Sequence, residues 1–216
     1  MVLAIAPWNL PFIIPLSQVL PSLLAGNAVI LKPSELTPQA GELIAELTTR
    51  CGLPAGLLQV VQGDGEVAAA LIQGRPDKVL FTGSVATGRK VMAACAEFPI
   101  PVSLELGGVD AMIVRSDADL EFATSAAVWG ATFNGGQACC SIERLIVHRS
   151  LHDRFVARVA DKMARVDRSR ELCPAIDERQ LEVWRRHLQK ATDDDLTVVT
   201  GGEFVGDRKL TPTLIT

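Results

Sequence analysis

The chain has 216 residues, of which 48% are hydrophobic and 21% charged, and its formal net charge is −4. This length allows one large domain or two small ones, and the mild acidity argues against nucleic-acid or anionic-membrane binding. The five cysteines include no C-x-x-C pair, and their odd number does not indicate a disulfide framework. A reducing, cytoplasmic location is therefore expected.

No charged side chain precedes Lys32, and such an uncharged start could indicate a signal peptide or a membrane span. Four prolines interrupt it, however, and no basic segment precedes it. A buried βαβ unit explains it better, with strand Val2–Ala6, a helix to about Ala25 and strand Ala28–Lys32.

Strands and helices continue to alternate after Lys32. The periodicity and turn signals predict a helix from Thr37-Pro38, strand Leu57–Val61, helix Gly65–Gln73, strand Lys78–Thr82, helix Ser84–Ala94 and strand Pro101–Leu106. This order is typical of an α/β fold with a doubly wound, mostly parallel, Rossmann-like sheet.

The glycine pair Gly107-Gly108 marks the boundary between two predicted regions, 1–107 and 108–216. The second region is also predicted to be α/β. Its expected elements are strand Ala111–Val114, helix Asp117–Thr132, strand Leu145–His148, helix Leu151–Val166, polar segment Asp167–Cys173, helix Glu178–Ala191, strand Leu196–Val199 and a tail of loop and extended chain over Gly201–Thr216.

Two segments carry side chains suited to acyl chemistry. Residues 133–140 read Phe-Asn-Gly-Gly-Gln-Ala-Cys-Cys, and residues 104–108 read Leu-Glu-Leu-Gly-Gly. A thiol nucleophile and a carboxylate base, each beside glycines, are what reaction at an aldehyde carbon requires. Residue chemistry alone does not choose between Cys139 and Cys140, and both also suit a role as small core hydrophobes.

Together these segments resemble the NAD(P)-dependent aldehyde dehydrogenase superfamily, and the resemblance extends from Ile5 to Pro212-Thr213-Leu214. It implies a Rossmann-like cofactor region over 1–107, followed by part of an α/β catalytic region over 108–216. The implied function is the oxidation of a small-molecule aldehyde to a carboxylic acid with NAD, through a cysteine thiohemiacetal and a thioester.

The resemblance also implies the catalytic residues. The family pattern Gly-Gln-x-Cys identifies Cys139 as the nucleophile. Asn9, in the segment Pro-Trp-Asn-Leu-Pro, and the Cys139 backbone N–H would hold the oxyanion. Glu105, in a strand-terminal and apolar setting, would be the general base for hydrolysis. Val109 departs from the family, in which a lysine often follows Glu-Leu-Gly-Gly. We expect this change to affect only the local packing or electrostatics.

The segment Lys-Pro-Ser-Glu at 32–35 matches the family's adenosine-ribose motif. It follows the second strand, where ligands bind in open α/β sheets, and Lys32 and Glu35 would hold the two ribose hydroxyls. Without the resemblance, a surface Lys–Glu pair is the simpler interpretation. The Glu35 carboxylate would repel a 2′-phosphate, so NAD is favoured over NADP.

The remaining cofactor-binding predictions surround two glycine turns. Phe-Thr-Gly-Ser at 81–84 resembles the family segment near the pyrophosphate and includes Gly83 and Ser84. Gly65 lies in a second turn, and Ile5 and Trp8 are also predicted to bind the cofactor. Each turn alone is a weak signal, because no full G-x-G-x-x-G is present.

No metal site is predicted. His148 and His152 are four residues apart, but no carboxylate or thiol completes a ligand set, and a solvated pair is the simpler interpretation.

The resemblance covers well under half of a typical family member. Earlier strands of the cofactor domain and a later acidic-x-Phe-Gly-Pro motif are not present in the sequence. We therefore expect association, as a homo-oligomer or with a complementing polypeptide. The alternative hypothesis is a truncated, non-catalytic remnant that binds nucleotide weakly or acts as an interaction module.

Overall fold

The computed structural model describes residues 1–166 and 171–216. The chain divides into two compact units, an amino-terminal unit, Met1–Gly107, and a carboxyl-terminal unit, Gly108–Thr216. The predicted polar segment Asp167–Cys173 lies in part outside the described residues.

The amino-terminal unit alternates strands and helices in the predicted order. Its elements are β1 (Val2–Ile5), α1 (Ile13–Leu24), β2 (Val29–Lys32), α2 (Pro38–Arg50), β3 (Leu58–Val60), α3 (Gly65–Gln73), β4 (Lys78–Gly83), α4 (Val85–Ala96) and β5 (Val102–Leu106).

The five strands form one sheet in the order β3-β2-β1-β4-β5, and every pair is parallel. Leu3 and Ile5 of β1 face a core shared with α3 and α4, whereas Val2 and Ala4 face a second core shared with α1 and α2. Successive side chains of a strand point to opposite faces, so a strand between two helical layers must be apolar throughout. This explains the uncharged start of the chain.

Side chains at the helix starts fix where the loops turn. The Asp64 carboxylate accepts hydrogen bonds from Glu66 N at 2.9 Å and Val67 N at 3.5 Å at the start of α3. The predicted boundary at Thr37-Pro38 is also the start of α2, but the Thr37 side chain makes no capping hydrogen bond. Proline at the first helical position needs no partner for a missing N–H, so it suits this start without a cap.

The described part of the carboxyl-terminal unit contains both longer elements and several strands of two or three residues. They are β6 (Asp110–Val114), α5 (Leu120–Thr132), a 3₁₀ turn (Phe133–Gly136), β7 (Ile142–Val147), α6 (His152–Ala164), α7 (Glu178–Asp193), β8 (Val198–Thr200), β9 (Phe204–Val205), β10 (Lys209–Leu210) and β11 (Leu214–Ile215).

Strands β6 and β7 pair in parallel, and β8 with β11 and β9 with β10 pair antiparallel. One face of the β6–β7 pair packs on α5 and α6, in a core that includes Val114, Ala127 and Phe155. On the same strands Ile113 is 71% exposed and Ile146 is 55% exposed. Within the described residues, this parallel pair is therefore covered on one face.

The fold prediction is confirmed: the central sheet is parallel, doubly wound and flanked by helices. The largest differences are in the carboxyl-terminal unit. Strand β7 begins at Ile142, three residues before the predicted start, and the β9–β10 hairpin was not predicted. Among the described residues, no helix combines the length and the apolar character needed to cross a bilayer.

Candidate active site

Lys32 ends β2 and is only 4% exposed. Its Nζ donates to the carbonyl oxygens of Pro33 at 2.8 Å and Gly63 at 2.5 Å, so the ammonium joins the loops that follow β2 and β3. Burial lowers the pKa of Lys32, and the charges of Glu35 and Asp64 oppose that shift. The structure thus holds a desolvated ammonium at the carboxyl end of the sheet.

Glu35 lies three residues further along and is exposed. The intervening Ser34 is buried, and its hydroxyl accepts a hydrogen bond from Leu36 N at 3.2 Å, which closes a short turn. The turn presents the Glu35 carboxylate to solvent. An ammonium with a third N–H and an exposed carboxylate are a donor and an acceptor that suit neighbouring ribose hydroxyls.

Ser84 follows β4 and caps α4. Its Oγ accepts from Thr87 N at 3.1 Å and donates to Thr87 Oγ1 at 2.9 Å. A Cβ on Gly83 would lie 2.6 Å from the Phe81 ring, so a side chain at the end of β4 would displace that ring. This gives a helix N-terminus reached by a close-packed backbone turn, a geometry that favours an anion.

The other predicted cofactor residues differ in their surroundings. Gly65 opens α3, and nothing lies within 4 Å of a Cβ placed there, so packing does not require glycine. Ile5 ends β1 and is buried in the core. Trp8 and Asn9 are half-buried in the loop after β1, where Asn9 Oδ1 accepts from Leu10 N at 3.1 Å. That bond orients the Asn9 amide from within its own loop.

The sheet order reverses between β1 and β4, which are neighbours although three helices separate them in sequence. Ligands of open α/β sheets bind at such a reversal, beyond the carboxyl ends of the strands. There Gln18 Nε2 donates to Thr82 Oγ1 at 2.9 Å, and Gln18 Oε1 is buried without a donor among the described residues. We did not predict Gln18 as a site residue, although an amide side chain in a mostly apolar helix was a usable signal.

Glu105 is the penultimate residue of β5 and is paired in register with Thr82 of β4. Its side chain is exposed, so the predicted apolar setting is wrong. The cause is strand alternation: Leu104 and Leu106 pack against the core, and Glu105 between them points to the other face. Glu105 is thus a solvent-accessible carboxylate at the carboxyl end of the sheet.

In the carboxyl-terminal unit, Cys139 and Cys140 occupy the centre of a hydrogen-bonded turn. Ser141 N donates to Ala138 O at 3.2 Å, which closes a four-residue β-turn with the two cysteines as its central residues. Both cysteines are exposed. The turn therefore presents two thiols at its apex, which rules out the interpretation of both as core hydrophobes.

The preceding backbone is left-handed over three residues, with φ values of +52° at Asn134, +66° at Gly135 and +73° at Gly136. A Cβ on Gly135 would lie 3.1 Å from Cys173 O, and one on Gly136 would lie 3.2 Å from Ala131 O. Glycine is required here for both its backbone conformation and its lack of a side chain.

Gln137 braces this turn, a role that the sequence did not reveal. Its Nε2 donates to Asn134 O at 3.1 Å and to Pro174 O at 3.0 Å, and its Oε1 accepts from Ile176 N at 3.0 Å. One amide thus joins the left-handed segment just before the cysteine turn to a segment almost forty residues away. The only sequence signal was the family pattern Gly-Gln-x-Cys itself.

The Cys139 thiol is not activated by its own unit. Burial of the sulfur raises the pKa of Cys139, and the Cys140 thiol and the Asp110 carboxylate act in the same direction. The residue is nevertheless exposed, so reagents reach a sulfur that is protonated at neutral pH. Formation of the Cys139 thiolate at neutral pH would therefore need a base.

His148 and His152 each have a local partner. His148 Nδ1 lies 2.9 Å from Ser150 Oγ, and His152 Nδ1 lies 2.9 Å from Asp153 Oδ1. Across residues 1–166 and 171–216, no three His, Cys, Asp or Glu side chains are arranged to hold a metal ion.

Comparison with known proteins shows which family this chain belongs to. The sequence profile described as the aldehyde dehydrogenase family matches residues 1–216, the whole chain. The chain belongs to the aldehyde dehydrogenase family. Members of this family use NAD or NADP.

Curated family members are similar along most of this chain. It is 45% identical over 194 residues to a 4,4'-diapolycopene aldehyde oxidase of Methylomonas sp, an overlap of 88% of this chain and 37% of that protein. It is 40% identical over 206 residues to a betaine aldehyde dehydrogenase of Cereibacter sphaeroides, covering 92% of this chain and 43% of that protein.

Solved structures of the family share the fold. Lactaldehyde dehydrogenase from Escherichia coli superposes with a TM-score of 0.94 at 36% identity, covering 99% of this chain and 47% of that one. The chain thus spans less than half the length of these three relatives.

Proposed function

We propose that this chain oxidises an aldehyde to the carboxylic acid with NAD, using Cys139 as the nucleophile. The observation that carries the proposal is the exposed β-turn at 138–141, which presents the Cys139 thiol and is braced by Gln137. Family membership supports the reaction class, because thiol attack on a carbonyl carbon is the covalent route to a thioester.

The first step forms a bond between the Cys139 sulfur and the aldehyde carbon. The carbonyl oxygen becomes an oxyanion in the thiohemiacetal, and the Asn9 amide and the Cys139 backbone N–H stabilise it as donors. NAD, when bound, supplies the acceptor for the hydride that leaves this carbon. Cys139 then carries a thioester.

Glu105 completes the reaction by taking a proton from water, whose oxygen attacks the thioester carbon. The carbon–sulfur bond breaks, the carboxylic acid leaves and the Cys139 thiol is restored. The exposure of Glu105 supports this role, because the water that it activates must reach it from solvent. The same carboxylate is our proposed base for Cys139: it takes the thiol proton before attack and releases it to solvent before it activates water, and the proton taken from water then returns to the Cys139 sulfur.

The residues at the carboxyl end of the parallel sheet fit a dinucleotide. Lys32 and Glu35 would hold the adenosine ribose, and the α4 N-terminus at Gly83 and Ser84 would lie near the pyrophosphate, with Gly65, Ile5 and Trp8 completing the cofactor contacts. The exposed Glu35 carboxylate favours NAD, since it would repel the 2′-phosphate of NADP. We therefore assign cofactor binding to 1–107 and the nucleophile to 108–216.

Two further expectations accompany this function. A reduced Cys139 suits a reducing compartment such as the cytoplasm. The exposed Ile113 and Ile146 support association with a second copy or with a complementing polypeptide, because parallel strands are normally covered on both faces.

The test is NADH formation by the purified chain with NAD and a panel of aldehydes. We expect turnover that falls at least about 10³-fold in Cys139→Ser and persists in the matched variant Cys51→Ser, whose cysteine is exposed in the other unit. Turnover that survives in Cys139→Ser would disprove the nucleophile. A folded chain that binds NAD but forms no NADH would disprove the function and support a non-catalytic remnant.

A further inference from the structure

The second cysteine of the turn has no part in the proposed oxidation. Cys140 follows Cys139 directly, and both occupy the centre of the β-turn closed by the hydrogen bond from Ser141 N to Ala138 O. Had these residues been in a strand, their side chains would point to opposite faces, whereas a turn imposes no such alternation. Both are exposed, and the Cys140 thiol is close enough to raise the pKa of Cys139.

We propose that Cys139 and Cys140 together form a bidentate dithiol site for a soft, thiophilic centre, of which a trivalent organoarsenical is the representative ligand. The other described cysteines lack this arrangement: Cys51 is exposed but has no neighbouring cysteine in sequence, Cys95 is buried and Cys173 is half-buried. The site requires only the two thiols, so it does not depend on aldehyde oxidation.

The spacing of the pair favours a bridging atom over a direct disulfide. Cα atoms of consecutive residues are about 3.8 Å apart across a trans peptide, and no peptide in the described chain is cis. Disulfides span Cα separations of roughly 4.4–6.8 Å, so a bond between these sulfurs would be strained. A single atom bound to both sulfurs enlarges the ring by one member and so reduces that strain.

The reaction balances without an oxidant. An arylarsenoxide brings an oxygen on arsenic; the two S–H protons leave with that oxygen as water while two arsenic–sulfur bonds form. Arsenic remains trivalent and both sulfurs keep their oxidation state. The protonated resting state of Cys139 is compatible with this step, because the departing oxygen accepts the protons.

The experiment uses the full chain and phenylarsine oxide, followed by intact mass and by competition with thiols. We expect one arsenical to bind per chain, with both S–H protons lost. Dithiothreitol should remove this arsenical, whereas 2-mercaptoethanol at the same total concentration of thiol groups should not. Cys139→Ser and Cys140→Ser should each weaken binding about 100-fold, because the second sulfur then no longer acts at high effective concentration.

Cys51→Ser is the matched control and should bind as the parent chain does. Retention of full affinity in Cys140→Ser, or loss of the adduct in Cys51→Ser, would overturn the proposal. Because the serine variants change exposed turn positions, their circular dichroism should match the parent. If a serine variant is misfolded, Cys140→Ala provides the same comparison, with the same weakened binding expected and unchanged affinity again overturning the proposal.

Discussion

The two units of this chain hold their candidate residues in different ways. In the amino-terminal unit, Lys32 and Glu105 project from strands of a parallel sheet that is packed on both faces. In the carboxyl-terminal unit, Cys139 lies on a turn held by left-handed glycines and by the Gln137 side chain. The first arrangement depends on apolar burial, whereas the second depends on a few polar contacts.

The test with the largest expected effect compares two apolar strand residues, one from each unit. Leu3 in β1 is 0% exposed, whereas Ile113 in β6 is 71% exposed. We expect Leu3→Ala to lower the free energy of unfolding of its unit by about 2–5 kcal/mol. In the monomeric chain, at a concentration below that of association, Ile113→Ala should change the free energy of unfolding of its unit by less than about 0.5 kcal/mol. Native-state hydrogen exchange measures each unit separately, and equal losses would contradict the account.

A second test removes the brace of the cysteine turn. Gln137→Leu keeps the size of the side chain but loses its hydrogen bonds to Asn134, Pro174 and Ile176. We expect the free energy of local opening to fall by about 1–3 kcal/mol, seen as faster exchange of the Ile176 amide. The control is Gln59→Leu, which loses one exposed contact of 3.5 Å to Gly56 and should have no measurable effect. Unchanged exchange in Gln137→Leu would show that the turn needs no brace.

The smallest expected effect concerns two thiols whose pKa values are both raised by burial, Cys95 and Cys139. A raised pKa means less thiolate at neutral pH, so iodoacetamide should label the exposed Cys139 slowly there. The labelling rate should rise about tenfold for each pH unit until the pH exceeds the raised pKa. Cys95 is fully buried and should react only when its unit opens. Peptide mapping across a pH series measures both rates. A Cys139 rate that is already constant below pH of about 8 would indicate a lowered pKa and contradict the structure.

The sequence predicted most of the fold because hydrophobic periodicity carries it. Val2–Ile5 is apolar on both faces, and this pattern, with its short length and the proline that follows at Pro7, predicts a strand between two helical layers. The β9–β10 hairpin has only two residues in each strand, too few for any periodicity. Phe204 pairs with Leu210 and Val205 with Lys209 across a short turn, an element too small to leave a hydrophobic pattern.

The candidate site was less accessible from sequence. Motifs indicated which residues to consider, but not their surroundings: the exposure of Glu105 follows from its register in β5. The partners of Gln137 at Pro174 and Ile176 are distant in sequence, so no local rule could connect them. The roles of Asn9, Glu105 and Cys139 remain predictions.

The most direct test of the central claim is to trap the thioester. The Glu105→Gln variant should be incubated briefly with an aldehyde and NAD at an alkaline pH, where Cys139 ionises without the Glu105 base, then quenched in acid and mapped by mass spectrometry. Cys140→Ser should be added so that only one cysteine of the turn can react. We expect an acyl group on Cys139 that requires NAD, because hydride must leave before the adduct survives acid. No acyl group, or one that forms equally without NAD, would contradict the account.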